Sequence, residues 1–480
     1  MSLQASMATP TSAVVRDPAP SATAPDRITV AAARLEAWLE TMRGPGGYGG
    51  PVVHWWQQSL LYTGPGLDWR YEGIITGYVT LWQRTGNPQW LRKACRAGDD
   101  LLAGQLENGH YAASCFELNP ASAGTPHEAA CDAGLLLLAK ALKSEVSNQR
   151  SEDRRQPANG TELHSHALSA DTLPDWRRYA DCAERNLQAF YVDRLWDAAA
   201  GAFRDDPGTP SFVPNKAATA CEALFLLAEV RQDDRWVTQY ALSTLDRIVE
   251  HQVQDHGPLD GAIAQNTIGR RRIDKYFPKY IARCVPALVT GYRWTGNGRY
   301  ADAAQRSVQF LSRQAQADGS LPTVLYPGGR SNRYPSWIAP LADVLWAAEA
   351  LRDLGPAPEF AATSARLLAG QDASGGIQTA SGFAAQAGGQ PGNLPDVRDV
   401  LHVAGWCDKA FRYLASAVQH DPPVKIDNGT FETPCRFQGQ SMRYVETASL
   451  VEITSRGQVR YRWQKGAAWP DIATPEFWLH

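Results

Sequence analysis

Apolar residues recur along this chain in two registers, and the registers alternate. Stretches near 28–43, 88–107, 173–191, 234–254, 298–316 and 358–371 carry an apolar stripe at helical spacing with charged residues opposite. That is the pattern of a helix laid against a core. Between them, stretches near 72–84, 127–143, 215–230, 275–294, 336–354 and 399–418 are apolar and rich in small residues almost all round, as in CDAGLLLLAKAL and CEALFLLAEV. Such helices are buried on all sides. Six of each in alternation predict an all-α (α/α)6 toroid over about 28–418. Its long loops and the N-terminal ends of its inner helices should share one face.

Local repeats support the same rhythm. The pentapeptide LLAGQ occurs at Leu101–Gln105 and Leu367–Gln371, each followed four residues after the Gln by a glycine, Gly109 and Gly375. Looser copies are FLSRQ at 310–314 and VEHQ at 249–252. The turn TGN occurs at Thr85-Gly86-Asn87 and again at Thr295-Gly296-Asn297. Glycine there supplies the positive φ that ends one helix before the next runs back antiparallel.

Three segments break the rhythm. Residues 1–26 are rich in Ala, Ser, Thr and Pro and lack the apolar run of a signal peptide, so they read as a disordered tail ahead of a 27–419 toroid. Residues 144–172 are polar and read as a solvated loop; the His164-x-His166 pair within it is read as incidental to metal binding. From 420 to 480 the pattern turns to alternation, and RYVETASLVEITSRGQVRYRWQ predicts two strands around Ser455-Arg456-Gly457, part of a small β-rich C-terminal appendage.

Composition then narrows the function classes. At 480 residues with 44% hydrophobic content, the chain can bury a large core. A net charge of -3 gives no global affinity for a polyanion, so nucleic acid is not expected as a partner. No apolar run reaches the roughly 18 residues of a membrane span. The eight cysteines stand singly, which suits a reduced, cytoplasmic setting. No phosphate-binding Gly-rich loop, G-x-S-x-G elbow or metal-spaced cluster is present, so neither a cofactor nor a metal is expected.

The helix alternation, the TGN turns and the Q-x-x-x-G endings resemble the six-hairpin glycosidase-like superfamily over about 28–418. That superfamily includes polysaccharide lyases, unsaturated uronyl hydrolases and sugar epimerases, so the resemblance implies a toroid with a carbohydrate site at one mouth. The Q-x-x-x-G ending is also similar to repeats of terpenoid cyclases, which usually carry an aromatic two residues after the glycine. Here those places hold Tyr111, Leu259, Leu321 and Ile377, and no D-x-D-D acid motif occurs.

In such a ring, chemistry belongs at the inner-helix N-termini and the loops before them. The first opening carries Trp55, Trp56, Asp68, Trp69, Arg70 and Glu72: flat apolar faces beside polar groups, as a sugar ring requires. Asp68 could equally cap its helix. The second carries Thr125-Pro126-His127-Glu128 and Asp132, placing a titratable base among carboxylates. The opening near 270–283 carries Arg272, Lys275, Lys279 and Arg283 with Tyr276 and Tyr280, a basic stripe suited to a carboxylate. Further candidates are Asn215, Lys216 and Glu222, then Trp337 and Asp343, then Asp399, His402 and Trp406; Asp399 and His402 could form a catalytic pair or a buried structural one.

The expected catalytic set is therefore His127, Glu128, Asp132, Tyr276, Tyr280, Asp68, Glu72 and His402. The expected substrate-binding set is Trp55, Trp56, Trp69, Arg70, Arg272, Lys275, Lys279, Arg283, Trp337 and Trp406. Together they suggest an enzyme acting on uronic-acid-containing, anionic glycans or oligosaccharides by β-elimination, C5 epimerisation or hydrolysis. The alternatives are an isoprenoid-cyclase-like toroid and a non-catalytic toroid that binds glycan or protein.

Overall fold

The computed structural model describes residues 26–52, 61–63, 66–112, 127–153, 173–385, 392–437 and 439–467. Its inner helices are α2 (Arg70–Thr85), α4 (Glu128–Asp153), α6 (Pro214–Arg231), α8 (Pro278–Thr295), α10 (Leu341–Leu351) and α13 (Ala404–Ala417). Each packs on the next, and α13 packs on α2 to close the ring. The outer helices are α1 (Arg27–Thr41), α3 (Pro88–Ala103), α5 (Trp176–Asn186), α7 (Leu242–Glu250), α9 (Gly298–Gln314) and α11 (Ala361–Ala369). They lie on α13, α2, α4, α6, α8 and α10 respectively. The expected (α/α)6 toroid is the observed fold. A single further turn, α12 (Val397–Val400), leads into α13.

Composition explains the layers. Helix α6 is buried along nearly its whole length, from Pro214 to Val230, because no face of it carries a run of charges. Outer helices such as α9 bury one face, the stripe Tyr300, Ala303, Ala304, Ser307, Val308, Phe310 and Leu311.

The two TGN turns do the same work twice. Gly86 and Gly296 sit at φ 72° and 69° and end α2 and α8. Asn87 and Asn297 then cap α3 and α9, each side chain accepting from the backbone N–H two residues on. The Thr hydroxyl before each glycine bonds back to the carbonyl four residues earlier. Positive φ belongs to Gly296 alone in its turn, since Asn297 is extended at φ -74° and Gly298 is helical.

The recurring Gln has an equally physical role. Gln105, at the end of α3, donates to Gly109 O in its own loop and to Cys182 O on α5. Gln371, at the end of α11, donates to Gly375 O and to Ala31 O on α1. Gln252 after α7 reaches Ala303 O on α9 in the same way. Each amide thus stitches one outer helix to the next, and Gln371 closes the outer ring.

One sequence expectation shifts. Helix α4 runs to Asp153, into the stretch read as a solvated loop, because Glu145, Gln149, Arg150 and Glu152 carry helical propensity past the buried part. Residues 1–25 and 154–172, including His164 and His166, lie outside the described residues.

Four antiparallel strands, Phe431–Phe437, Gln440–Glu446, Leu450–Ser455 and Gln458–Gln464, form a meander in sequence order. The turn between the last two places Arg456 and Gly457 at positive φ. The sheet is fastened to the ring through the buried Glu446 carboxylate. It accepts bonds from Trp38 Nε1 on α1 (2.7 Å), Tyr444 Oη (2.6 Å) and Lys465 Nζ (2.8 Å), and it pairs with His402 Nδ1 (2.6 Å). His402 Nε2 meets Asp372 at 2.6 Å.

Among the described residues no helix is long and apolar enough to cross a membrane. The described cysteines are buried and unbonded.

Replacing Gln371 by Ala removes the side-chain donor from two backbone carbonyls, Gly375 O and Ala31 O, and should cost about 1–3 kcal/mol in urea unfolding. Gln83→Ala, on an exposed helix face, should stay within about 0.5 kcal/mol.

The His402 clamp gives a pH signature. Burial opposes the charged ring, but Asp372 and Glu446 outweigh it and push its pKa up to about 10. A raised pKa contributes stability in full below the unfolded value of about 6.5 and loses it as pH rises toward 10. Tm should therefore fall between pH 6.5 and 10, and His402→Gln should flatten that slope while lowering Tm at pH 6.

Candidate active site

The six inner helices enclose a canal along the ring axis, and a layer of buried ion pairs divides it. The hub is Glu72 in the first turn of α2. Arg283 on α8 donates to both of its oxygens at 2.9 Å. Arg412 and Lys409, both on α13, reach it at 2.5 and 3.1 Å. Arg412 also donates to Asp343 on α10 at 2.9 Å. Lys409 bridges to Asp408 (2.7 Å) and to the Trp69 carbonyl (2.8 Å).

This layer is possible because α2 and α13 approach closely at Gly73, whose N–H donates to Asp408 Oδ2. A Cβ there would lie 2.3 Å from the Asp408 carbonyl oxygen. Burial alone would raise the Glu72 pKa. The charges of Arg283, Lys409 and Arg412 outweigh burial and hold it below the usual carboxylate range. Burial pushes Asp408 up to about 7 against the pull of Lys409.

Above this floor, on the face of the inner-helix N-termini, lies a chamber of about 560 Å³. Its aromatic wall is Trp69, Trp406, Phe277 and Tyr280. Trp69 meets Trp406 edge-on at 4.2 Å, and His127 stands 6.1 Å from the Trp69 ring. The polar wall includes Asn215, Thr219, Gln265 and the Lys216–Asp205 pair at 2.9 Å. Lys275 also lines the chamber. Burial lowers its pKa, and among the described residues no carboxylate lies within ion-pair distance of it.

Of the residues expected from sequence, the chamber gathers Trp69, Glu72, His127, Lys275, Tyr280, Arg283 and Trp406. The others stand elsewhere, each for a visible reason. Asp68 is held by the Arg70 guanidinium, Nε to Oδ1 at 2.8 Å and Nη2 to Oδ2 at 3.0 Å, so both are fixed in a buried pair. Glu128 accepts from Asn186 at 2.6 Å and meets His110 Nδ1 at 3.0 Å, facing α5. Asp132 accepts from Tyr111 at 2.7 Å, and burial keeps its pKa well above the usual range. Neither acid serves His127.

Tyr276 donates to Asp274, and its backbone pairs with Leu325. Arg272 lies on an exposed hairpin with Asp274 at 2.9 Å. Lys279 is buried in a box of rings, 3.4 Å from the Trp337 centroid, 4.5 Å from Trp406 and 4.9 Å from Tyr280. Trp337 is buried behind Trp406. His402 belongs to the sheet clamp, and the Asp399 carboxylate accepts from the backbone N–H groups of Asp396, the N-cap of α12, and Phe383, so the two form no pair. Trp55 and Trp56 lie outside the described residues.

Sequence reasoning missed Lys409, Arg412 and Asp205. The signal for the first two was present: DKAFR sits inside an inner helix, where a buried charge must find a partner. Among the described residues no group of three or more His, Cys, Asp or Glu is disposed to hold a metal ion.

Fold and chamber together are those of an (α/α)6 toroid with a cavity at the inner-helix N-terminal mouth. Solved structures of that fold superpose on most of the chain. A possible member of the GH105 family from Klebsiella pneumoniae is 11% identical with TM-score 0.53, covering 84% of this chain and 96% of that one. Unsaturated glucuronyl hydrolase from Bacillus sp. GL1 is 14% identical with TM-score 0.51, covering 81% and 94%. Cellobiose 2-epimerase from Bacillus thermoamylovorans is 13% identical with TM-score 0.52, covering 80% and 98%. No protein-family model matches the chain, and no curated protein matches it in sequence.

Arg283 is part of the floor, so Arg283→Ala takes from Glu72 its two-pronged partner, leaving Arg412 and Lys409, and should cost about 3 kcal/mol in chemical denaturation. Lys275→Ala, which breaks no ion pair among the described residues, should remain within about 1 kcal/mol of wild type.

Proposed function

We propose that this protein is a carbohydrate-active enzyme for uronic-acid-containing glycans or oligosaccharides. It works by removing the proton next to the sugar carboxylate, so that elimination or C5 epimerisation is preferred to hydrolysis. The observation that carries this reading is the chamber wall itself: a lysine with no carboxylate partner among the described residues, a histidine and a tyrosine, set among aromatic faces.

In this reading Lys275 meets the substrate carboxylate, and Trp69 and Trp406 offer surfaces for sugar rings. His127 takes the C5 proton, and the resulting enolate is stabilised by the Lys275 charge. For elimination, the C4–O bond then breaks and Tyr280 supplies a proton to the departing oxygen. For epimerisation, a proton returns to C5 from the opposite face.

Two-carboxylate hydrolysis suits the chamber less well. Its acids are Glu72, Asp205 and Asp343, and all three are engaged in ion pairs. Glu72 in particular stays ionised, which removes it as a general acid. A floor of ion pairs is also unsuited to a hydrocarbon chain, which weakens the isoprenoid alternative.

The test is incubation with a panel of polyuronides and oligouronides. Ultraviolet absorbance of an unsaturated uronate marks elimination, and solvent deuterium recovered at C5 marks epimerisation. New reducing ends with neither signal would mean hydrolysis. His127→Ala should lower kcat about 10²- to 10⁴-fold with stability kept. Lys275→Ala should raise KM about 10- to 100-fold, the loss of one charge-assisted bond. Absence of both turnover and binding across the panel would overturn the proposal.

A further inference from the structure

Below the ion-pair layer the canal opens into a second chamber, of about 550 Å³, at the C-terminal ends of the inner helices. Its walls are largely apolar, with Phe225, Leu226 and Val289 beside the indoles of Trp294 and Trp346. Trp294 stands 5.8 Å from Phe225, and Trp346 lies under the Arg412 guanidinium at 4.9 Å. The two mouths are opposite in polarity. Lining carboxylates here are Glu72, Glu222, Glu229 and Glu349 against Lys140, Arg293 and Arg412, one negative charge in excess. The chamber above has Glu72, Asp205 and Asp343 against Lys216, Lys275, Arg283 and Lys409, one positive charge in excess. Helices α6, α8 and α10 end within a turn or two of the lower wall and add their negative C-terminal dipoles.

The ion pairs of this chamber leave one acid over. Glu229 pairs with Lys140, Glu349 with Arg352, and Arg412 with Glu72 and Asp343. Glu222, on α6, forms no ion pair among the described residues, and its Oε1 is buried without a hydrogen-bond partner. A buried carboxyl oxygen left unbonded is costly and implies a ligand or a proton to satisfy it.

We propose that the lower chamber is a binding site for a small organic ammonium, its charge on the Glu222 carboxylate and its apolar body between Trp294 and Trp346. Aromatic faces attract ammonium groups, and the helix C-termini favour the same sign of charge. Burial pushes the Glu222 carboxyl up to about 7; Glu72 and Asp343 add to the rise, Arg283 and Arg412 oppose it. The acid is thus ready to ionise when a cation arrives. Nothing in this site depends on the chemistry of the upper chamber.

The test uses the full chain and three probes with one phenethyl skeleton: phenethylammonium, 2-phenylethanol and 3-phenylpropionate, titrated by calorimetry at pH 7.5. Phenethylammonium should bind at least tenfold more tightly than the alcohol, and the carboxylate should bind most weakly. Glu222→Gln, which keeps the shape of the protonated acid, should remove that tenfold preference and leave alcohol binding unchanged. Leu226→Trp, which fills the chamber without touching a charge, should abolish binding of both. Circular dichroism confirms the fold of each variant. If the ammonium binds no better than the alcohol, or keeps its preference in Glu222→Gln, the proposal fails. It fails equally if Lys275→Ala, in the upper chamber, changes ammonium binding while Leu226→Trp does not.

Discussion

The structure depends on a carboxylate that cannot reach water. Glu72 lies at the centre of the ring with three cations on it, drawn from α8 and α13, and Asp343 on α10 completes the layer. Removing Glu72 would leave its buried cations short of their shared carboxylate, a penalty of several kcal/mol. The layer therefore fixes the register of four of the six inner helices at one height. It also closes the canal, so that what would be a pore becomes two chambers back to back.

That constraint decides which acids remain for chemistry. Carboxylates are common at inner-helix starts, yet those of the upper chamber are each tied to a lysine or arginine. What is left for a substrate is a lysine, a histidine, a tyrosine and the indole faces, a set better matched to a carboxylate and its neighbouring carbon than to a glycosidic oxygen.

Much of the ring is legible in the sequence because two periodicities describe it. All-round apolar helices alternate with striped ones, and the TGN and Q-x-x-x-G signatures mark joints whose hydrogen bonds require those residues. The site is legible only as far as position along a helix fixes direction. Trp69, Glu72, His127 and Trp406 sit at inner-helix starts and do face the chamber. The basic stripe fails because the helix starts at Pro278. Lys275 lies ahead of it, so its direction is not coupled to Lys279, which turns into the Trp337 and Trp406 rings. Glu128 and Asp132 fail for a related reason: one turn apart on α4, they face outward to Asn186 and Tyr111. No spacing rule tells the inside of a ring from its outer layer when both are packed.

The ring also has a direction. All six inner helices are closed side by side, and their N-terminal ends share the upper mouth while their C-terminal ends share the lower. Helix dipoles in that arrangement reinforce one another, favouring an anion above and a cation below. The side chains follow the same division, with one net positive charge on the upper wall and one net negative charge on the lower. Glu72 and its cations stand where the two fields meet, and a full charge there must be neutralised locally because neither mouth can screen it. Architecture and electrostatics therefore agree: helix dipoles and side chains give the two ends of the canal opposite charge preferences.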